Sequence, residues 1–446
     1  FNKYIVRDDA KYELEKIVKD STNLFEYDMA RVLNSMAFSQ LKLLDYESSI
    51  KNLNKAILYD KKYSEPYECL GDIYLAQNEF EKGLNFYQRA IVLVSDNKKE
   101  VNYNELPTIQ ELELATNKLL LLNHVITKAN GWLKYYEFDN NKAHLHHALE
   151  TFALADQFVD IIRSESTEYQ SKLFWREKGA SLYAKAVEVC YLLDKPQEAY
   201  YFMERNKALL LLEDVTSEQA KEITQLPKAM VKREYELKQS IYLAENELQN
   251  SASKSQDTLS VLKSTIYENK RSYNTFVDSL SSTFPEYAKI KKKVDVMPYK
   301  NFKNNYVSED EVVLQYILND EQGYGLLSST RKAHFFKLEN VEQLNENLVS
   351  LYSQLTEMTS NREKMQKYSK LSNTVFQKLI PEEVYNEISG KKLTIISDFI
   401  LQQIPFESFV VDTEKVRYLI EDVEIRYAYS MSYLDAKKGI TQAPEK

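Results

Sequence analysis

Lys391–Phe409, KKLTIISDFILQQIPFESF, is the stretch whose reading decides the fold. Leu393, Ile395 and Ile396 lie in a short apolar run, the pattern of a strand covered on both faces, as in a parallel sheet. Ser397 and Asp398 end it, because their side chains bond to nearby backbone and favour a turn over a ladder. Ile400, Leu401, Ile404, Phe406 and Phe409 follow, so the turn is expected to be pinned to a core. Strands and helices alternate around this stretch, as an α/β sheet requires.

The totals set the frame for that segment. A chain of 446 residues exceeds one ordinary core, so two or three domains are expected. With only 8 Gly and 9 Pro, long helices are favoured over turn-rich β architecture. A net charge of −9 argues against nucleic acid and anionic lipid as partners. The basic run Lys289, Lys291, Lys292 and Lys293 is short and flanked by acids, and reads as a solvated linker. No apolar run is long enough for a membrane helix. Two distant cysteines give no disulfide framework and fit a reducing compartment, so a cytoplasmic location is expected. The chain begins at Phe1 rather than Met, which is expected of a trimmed sequence and leaves an upstream targeting segment open.

Upstream, a self-similarity recurs every 34 residues: Leu33, Met36 and Ala37 return as Tyr67, Leu70 and Gly71. Tyr46, Glu47, Ser49, Ile50, Leu53, Ala56 and Ile57 return as Phe80, Glu81, Gly83, Leu84, Tyr87, Ala90 and Ile91. Large residues at helical spacing beside a small one describe helices that let a neighbour approach closely, and Gln88 falls on the exposed side of that pattern. Pro66 sits near a helix start, where its missing amide costs little. These two units resemble TPR repeats. Trp132, Tyr135, Ala148, Phe152 and Ala155 keep the internal spacing, as do Ala186, Val187, Cys190, Ala199, Met203 and Asn206, although Tyr136 is oversized for its place. A helical solenoid is expected, with a groove that holds a protein or peptide partner or a stack that only props up the C-terminal domain.

No metal or cofactor is expected. Cys190 falls on a core face and Cys69 off it. His144, His146 and His147, with Glu150, have ligand-like helical spacing, but the residue that would complete a tetrahedral set is missing nearby, and a wet helix face is the expectation.

Ala199–Val215, AYYFMERNKALLLLEDV, closes the repeats, with Leu209 to Leu212 as a buried stripe. Lys228–Gln249, with Met230, Tyr235, Leu237, Ile241 and Leu248 apolar, and a second helix from Leu259 to about Leu280 are read as a hairpin broken by Ser251, Ser253 and Ser255. A coiled-coil dimer is the rival. Next come a strand at Val312–Ile317, a turn at Asn319–Gly323, strands at Tyr324–Ser329 and Ala333–Leu338, and helices at Val341–Leu355 and Tyr368–Leu379. After the opening stretch, Tyr418–Ile420 and Val423–Tyr429 are expected as strands.

Four places carry a family resemblance. "L-x-x-I-P-F-E-S-F" after an acidic turn, with Asp398, Pro405 and Phe406, resembles the signature of the CHAT domain, a caspase-like peptidase domain appended to TPR repeats. Glu204, Arg205, Lys207 and Ala208 resemble the segment "E-R-x-K-A" that links the two, and Pro285–Ala288, "P-E-Y-A", resembles the lead-in to its strands. Tyr427–Ser430 resembles the family's "Y-x-x-S". The resulting expectation is a TPR-like solenoid at 1–215, a helical hairpin connector at 216–293, and the N-terminal part of a CHAT α/β domain at 294–446. The resemblance implies a cysteine endopeptidase whose arm binds a partner and regulates proteolysis. Such a site needs a Cys thiolate and a His at strand ends. His334 is the one histidine beyond residue 293 and no cysteine lies there. No catalytic residue can therefore be named, and the chain is expected to be inactive alone, its partner being the missing half of the domain. A non-catalytic adaptor is the alternative. The residues singled out are packing and signature positions: Leu70, Gly71, Tyr87, Ala56 and Ala90 in the repeats, and Glu204, Arg205, Lys207, Asp398, Pro405, Phe406 and Ser430 beyond them.

Overall fold

The computed structural model describes residues 26–95, 102–115, 117–165, 179–215, 227–249, 256–284, 296–356 and 362–435. In chain order, helices α1 (Glu26–Lys42), α2 (Tyr46–Tyr59), α3 (Glu65–Ala76), α4 (Phe80–Val94), α5 (Ile109–Leu114), α6 (Lys118–Asp139) and α7 (Lys142–Glu165) come first. They are followed by α8 (Ala180–Leu192), α9 (Pro196–Val215), α10 (Lys228–Gln249), α11 (Gln256–Thr283) and α12 (Tyr299–Tyr306). Strands β1 (Glu311–Leu318), β2 (Gly323–Ser328) and β3 (Ala333–Lys337) precede helices α13 (Val341–Thr356), α14 (Arg362–Leu379) and α15 (Glu382–Ile388). Strands β4 (Lys392–Ile396), β5 (Val410–Asp412), β6 (Arg417–Tyr418) and β7 (Glu424–Tyr427) end the order. The chain divides into two compact units, Phe1–Thr167 with Pro227–Ala288, and Glu168–Leu226 with Lys289–Lys446.

In the first unit the 34-residue period is visible in the backbone. Leu44 and Asn78 both take positive φ, 62° each, at the turn between paired helices. The following amides close the same long bond, Asp45 N to Gln40 O at 2.9 Å and Glu79 N to Tyr74 O at 2.8 Å. This is the left-handed helix ending that satisfies orphan carbonyls. Ala37, Ala56, Leu70, Tyr87 and Ala90 are all buried. Gly71 is needed for close approach, because a Cβ there would lie 2.4 Å from Tyr87 Cε1. The Tyr87 hydroxyl donates to Asp72 Oδ1 at 2.6 Å.

Two expectations fail here. Cys69 is buried, packed in one cluster with Leu53, Leu70 and Ile73, because the contact between successive hairpins uses a second face of α3. Gln88 is also buried, and accepts from the Lys128 ammonium at 2.6 Å, since α6 covers that side of α4. Helices α6 and α7 pair through Trp132, Ala148, Phe152 and Ala155, all buried. Helices α10 and α11 pair as a hairpin around Leu237, Ile241 and Tyr273. Tyr235, expected in that stripe, is exposed, and so is Met230. Ser251, Ser253 and Ser255, the basic run at 289–293 and "P-E-Y-A" lie outside the described residues, as do the side chains of Leu209 to Leu212.

The second unit is built on a five-stranded sheet of order β3-β2-β1-β4-β7. β3, β2 and β1 form the antiparallel meander at one side, while β4 runs parallel to both β1 and β7. Val312, Leu314, Leu393 and Ile395 share one face and pack with Leu344, Leu348, Val375 and Leu379 of α13 and α14. Fully burying each such side chain stabilises by about 1.5–3 kcal/mol, so this face dominates the unit's core. The other face is covered by α8 over β2 and β3, and by α9 and α12 over β1. Tyr191 of α8 packs on Tyr324 and Phe335, and Tyr200 of α9 stacks on Phe302 of α12 at 4.7 Å. The α8–α9 turn repeats the first unit's geometry, with Asp194 at φ 53° and Lys195 N bonded to Cys190 O at 2.8 Å.

The C-terminal strands depart from the sequence reading. Only Arg417–Tyr418 is extended, and it pairs with β5 in a separate two-stranded ribbon. Leu419–Glu421 forms a 3₁₀ turn whose Leu419 is buried in the main core. Val423–Tyr429 shortens to β7, and α15 was not expected.

Candidate functional site

Helix α9 lays three polar side chains, Glu204, Asn206 and Lys207, onto the ends of β1, β4 and β7. All three are buried, as is Arg205 between them. Buried polar groups must be hydrogen-bonded or they cost stability, and the partners account for each in turn. The Lys207 ammonium donates to Asp398 Oδ1 at 2.6 Å and to the Ser397 carbonyl. Asp398 Oδ2 accepts from Leu318 N at 3.1 Å and from Asn206 Nδ2 at 3.3 Å. One carboxylate thereby fastens the turn after β4 to the last residue of β1 and to α9.

Glu204 does the same one step further on. Its Oε1 accepts from Gln315 Nε2 at 2.7 Å and from Met431 N at 3.1 Å. Its Oε2 accepts from Ser432 N at 2.8 Å and Ser432 Oγ at 2.6 Å. A helical turn begins at Met431. Ser430 caps it, its Oγ accepting from Tyr433 N at 3.0 Å, and the Glu204 charge suits the positive end of that turn. Burial pushes the Glu204 carboxyl above its usual range, while the bonds from Ser432, Met431 and Gln315 pull it back. Lys207 also lies 6.0 Å from the Tyr429 ring centre.

The remaining signature residues complete the turn. Pro405 is exposed and sets the bend. Phe406 is buried against Phe409, centroids 4.9 Å apart, and its amide donates to the Tyr427 hydroxyl of β7 at 2.7 Å. Glu204, Lys207, Asp398 and Ser430 therefore belong to one connected arrangement. Leu70, Gly71, Tyr87, Ala56 and Ala90 lie in the other unit. Gln315 and Ser432 were missed by sequence reasoning. A single polar residue inside the run VVLQYIL was the available signal for Gln315, because such a group must find a partner when the strand is buried.

This arrangement holds elements in place and presents no nucleophile. Ser432 Oγ both donates to Glu204 and accepts from Met297 N at 3.0 Å. Nor do His334 and Cys190 form a dyad. His334 sits on β3 with Leu327, on the sheet face of α13–α15, 3.8 Å from Glu383. Cys190 is carried by α8, which covers the opposite face. Burial pushes the thiol of Cys69 up to about 12 and that of Cys190 far above its usual range, which keeps both as inert thiols.

The histidine cluster in the first unit is a further correction. His144 stacks on Tyr135 at 3.8 Å and His147 on Trp132 at 4.6 Å, so aromatic neighbours half-bury both while His146 stays exposed. Among the described residues no group of three His, Cys, Asp or Glu is placed to hold a metal, and no helix is long and apolar enough to cross a membrane.

Among curated proteins none matches the chain. Residues 368–445 match the family model of the CHAT domain, a stretch that contains the C-terminal part of α14, all of α15 and β4 to β7, and Asp398, Pro405, Phe406 and Ser430. Over those residues the chain is similar to the CHAT domain, a domain that implies the caspase-like peptidase family.

Proposed function

We propose that this chain is the helical arm and sheet-bearing part of a caspase-like cysteine peptidase, in which TPR-like hairpins take a protein or peptide partner and govern proteolysis. The observation that carries the reading is the buried link from Glu204 and Lys207 to Asp398, Met431 and Ser432. A helix that continues the repeat geometry is fastened by charge-assisted bonds to the turns at the C-terminal ends of the parallel strands, where an α/β sheet places its chemistry. Movement of that helix would move those turns with it. On this reading the thiolate and imidazole come from sequence other than these 446 residues. Among the described residues β7 ends the strand order of the sheet, and on this reading its outer edge is where a further strand would add.

A non-catalytic adaptor is the second reading, favoured by the two buried thiols and by His334 facing away from Cys190. The test is to express the whole product of the gene and treat it with a peptidyl thiol-directed inhibitor. The peptidase reading expects labelling at a cysteine other than Cys69 and Cys190, together with cleavage of a peptide library. A product with neither is the adaptor.

A further inference from the structure

Asp398 hands the chain on to Phe399, which takes φ 49°, in the left-handed region. Asn78, Asn140, Asn340 and Asp194 lie in the same region, where a short polar side chain is tolerated. Leu44 and Val416 also take it, in the turns between α1 and α2 and between β5 and β6. An aromatic residue gains nothing there, because its Cβ crowds the following carbonyl. Nor does burial of the ring offset the cost, since Phe399 is 50% exposed.

Strain of this kind persists only where the flanking structure over-determines the backbone. Both flanks of Phe399 do so. On the N-terminal side the Asp398 carboxylate is held by the Lys207 ammonium, by Asn206 Nδ2 and by Leu318 N. Lys207 also donates to the Ser397 carbonyl. On the C-terminal side Leu401 is wholly buried in the sheet core, and its amide donates to the Asp398 carbonyl at 3.0 Å. Ile404 and Phe406 are buried in the same core. Of these restraints, the bonds from Lys207 and Asn206 are those that a shift of α9 would break.

We propose that α9 holds the Asp398–Phe399 turn in a loaded conformation, and that withdrawing Lys207 and Asn206 lets Phe399 relax to negative φ. Relaxation from 49° to a helical value turns one backbone torsion by roughly 110°. It carries the half-exposed ring to a new place at the C-terminal end of β4. This device rests on the control by α9 proposed above but involves no peptidase chemistry, so stability alone tests it and a failed cleavage assay leaves it standing.

The test compares Phe399→Gly with Phe399→Ala in the full chain, by melting temperature. Both remove the ring, and they differ only in a Cβ that is costly at positive φ and favourable at negative φ. With the grip of α9 intact, the glycine variant should melt about 2–4 °C above the alanine variant. In a Lys207→Met background, where the turn is released, the order should reverse. If Lys207→Met does not fold, Asp398→Asn takes its place, since it weakens the same grip while keeping the shape of the side chain. A glycine variant no more stable than the alanine variant in the parent chain would show an unstrained turn and overturn the proposal. A glycine advantage that survives in the released background overturns it as well, because Leu401 and the core would then hold the strain without α9.

Discussion

The Lys207 ammonium lies 2.6 Å from Asp398 Oδ1 and joins α9 to the turn after β4 across 191 positions of chain. Both side chains are almost wholly buried, at 2% and 7% exposure. A buried pair of this kind fixes geometry more than it adds stability, because its desolvation offsets most of its attraction.

Removing one partner should nonetheless be severe. Lys207→Met is expected to cost about 3–5 kcal/mol, since it leaves the Asp398 charge buried and short of a donor. Asp398→Asn should be costly as well, and the double variant should lose clearly less than the sum. A denaturant-unfolding cycle that came out additive would show that the two side chains do not act as a pair.

Lys128 should make the first unit's stability depend on pH. Burial pulls its amine down to about 7, whereas in the unfolded chain it titrates near about 10.4. Between these values the unfolded chain holds more protons, so stability rises with pH from about 7 upward. The rise should be visible by pH 9, below the range where tyrosines ionise. Lys128→Met should remove it, and parallel profiles for the two proteins would contradict the burial argument.

Ala90 occupies a helix contact where only a small side chain fits, and Ala90→Leu should cost about 1–3 kcal/mol through overpacking. Arg89, its exposed neighbour, should tolerate Ala within about 0.5 kcal/mol. Gln88→Leu belongs with the costly changes, because it removes an acceptor from the buried Lys128 amine. Melting curves of the three variants separate these cases.

The 446-residue chain by itself should hydrolyse no peptide bond, and joint replacement of Cys69 and Cys190 by Ala should leave a peptide-library assay at background. Both thiols are buried, so alkylation of the native protein by iodoacetamide should be slow and should accelerate on unfolding. Thiol-dependent cleavage abolished by either substitution would refute the structural reading of both cysteines.

The sequence by itself determined the elements whose signal is local. The 34-residue recurrence marks position 71, like Ala37, as one for a small side chain, while the Tyr87 ring that excludes a Cβ there is a fact of packing. The apolar run at Leu393–Ile396 reads as a covered strand, and it is one, with parallel neighbours on both sides. The strand does end before Ser397 and Asp398, but not for the local reason, because the Asp398 carboxylate makes no bond to the neighbouring turn. Tertiary structure decided what Asp398 is bonded to, since Lys207, Asn206 and Leu318 converge on it only when α9 lies across the sheet. The same is true of Gln88 and Cys69, whose helices bury a second face that no periodicity marks. Leu419 is apolar whether in a strand or a 3₁₀ turn, and the ribbon of β5 and β6 made the choice. Pattern reports which side chains leave water, whereas only packing reports which ones they meet.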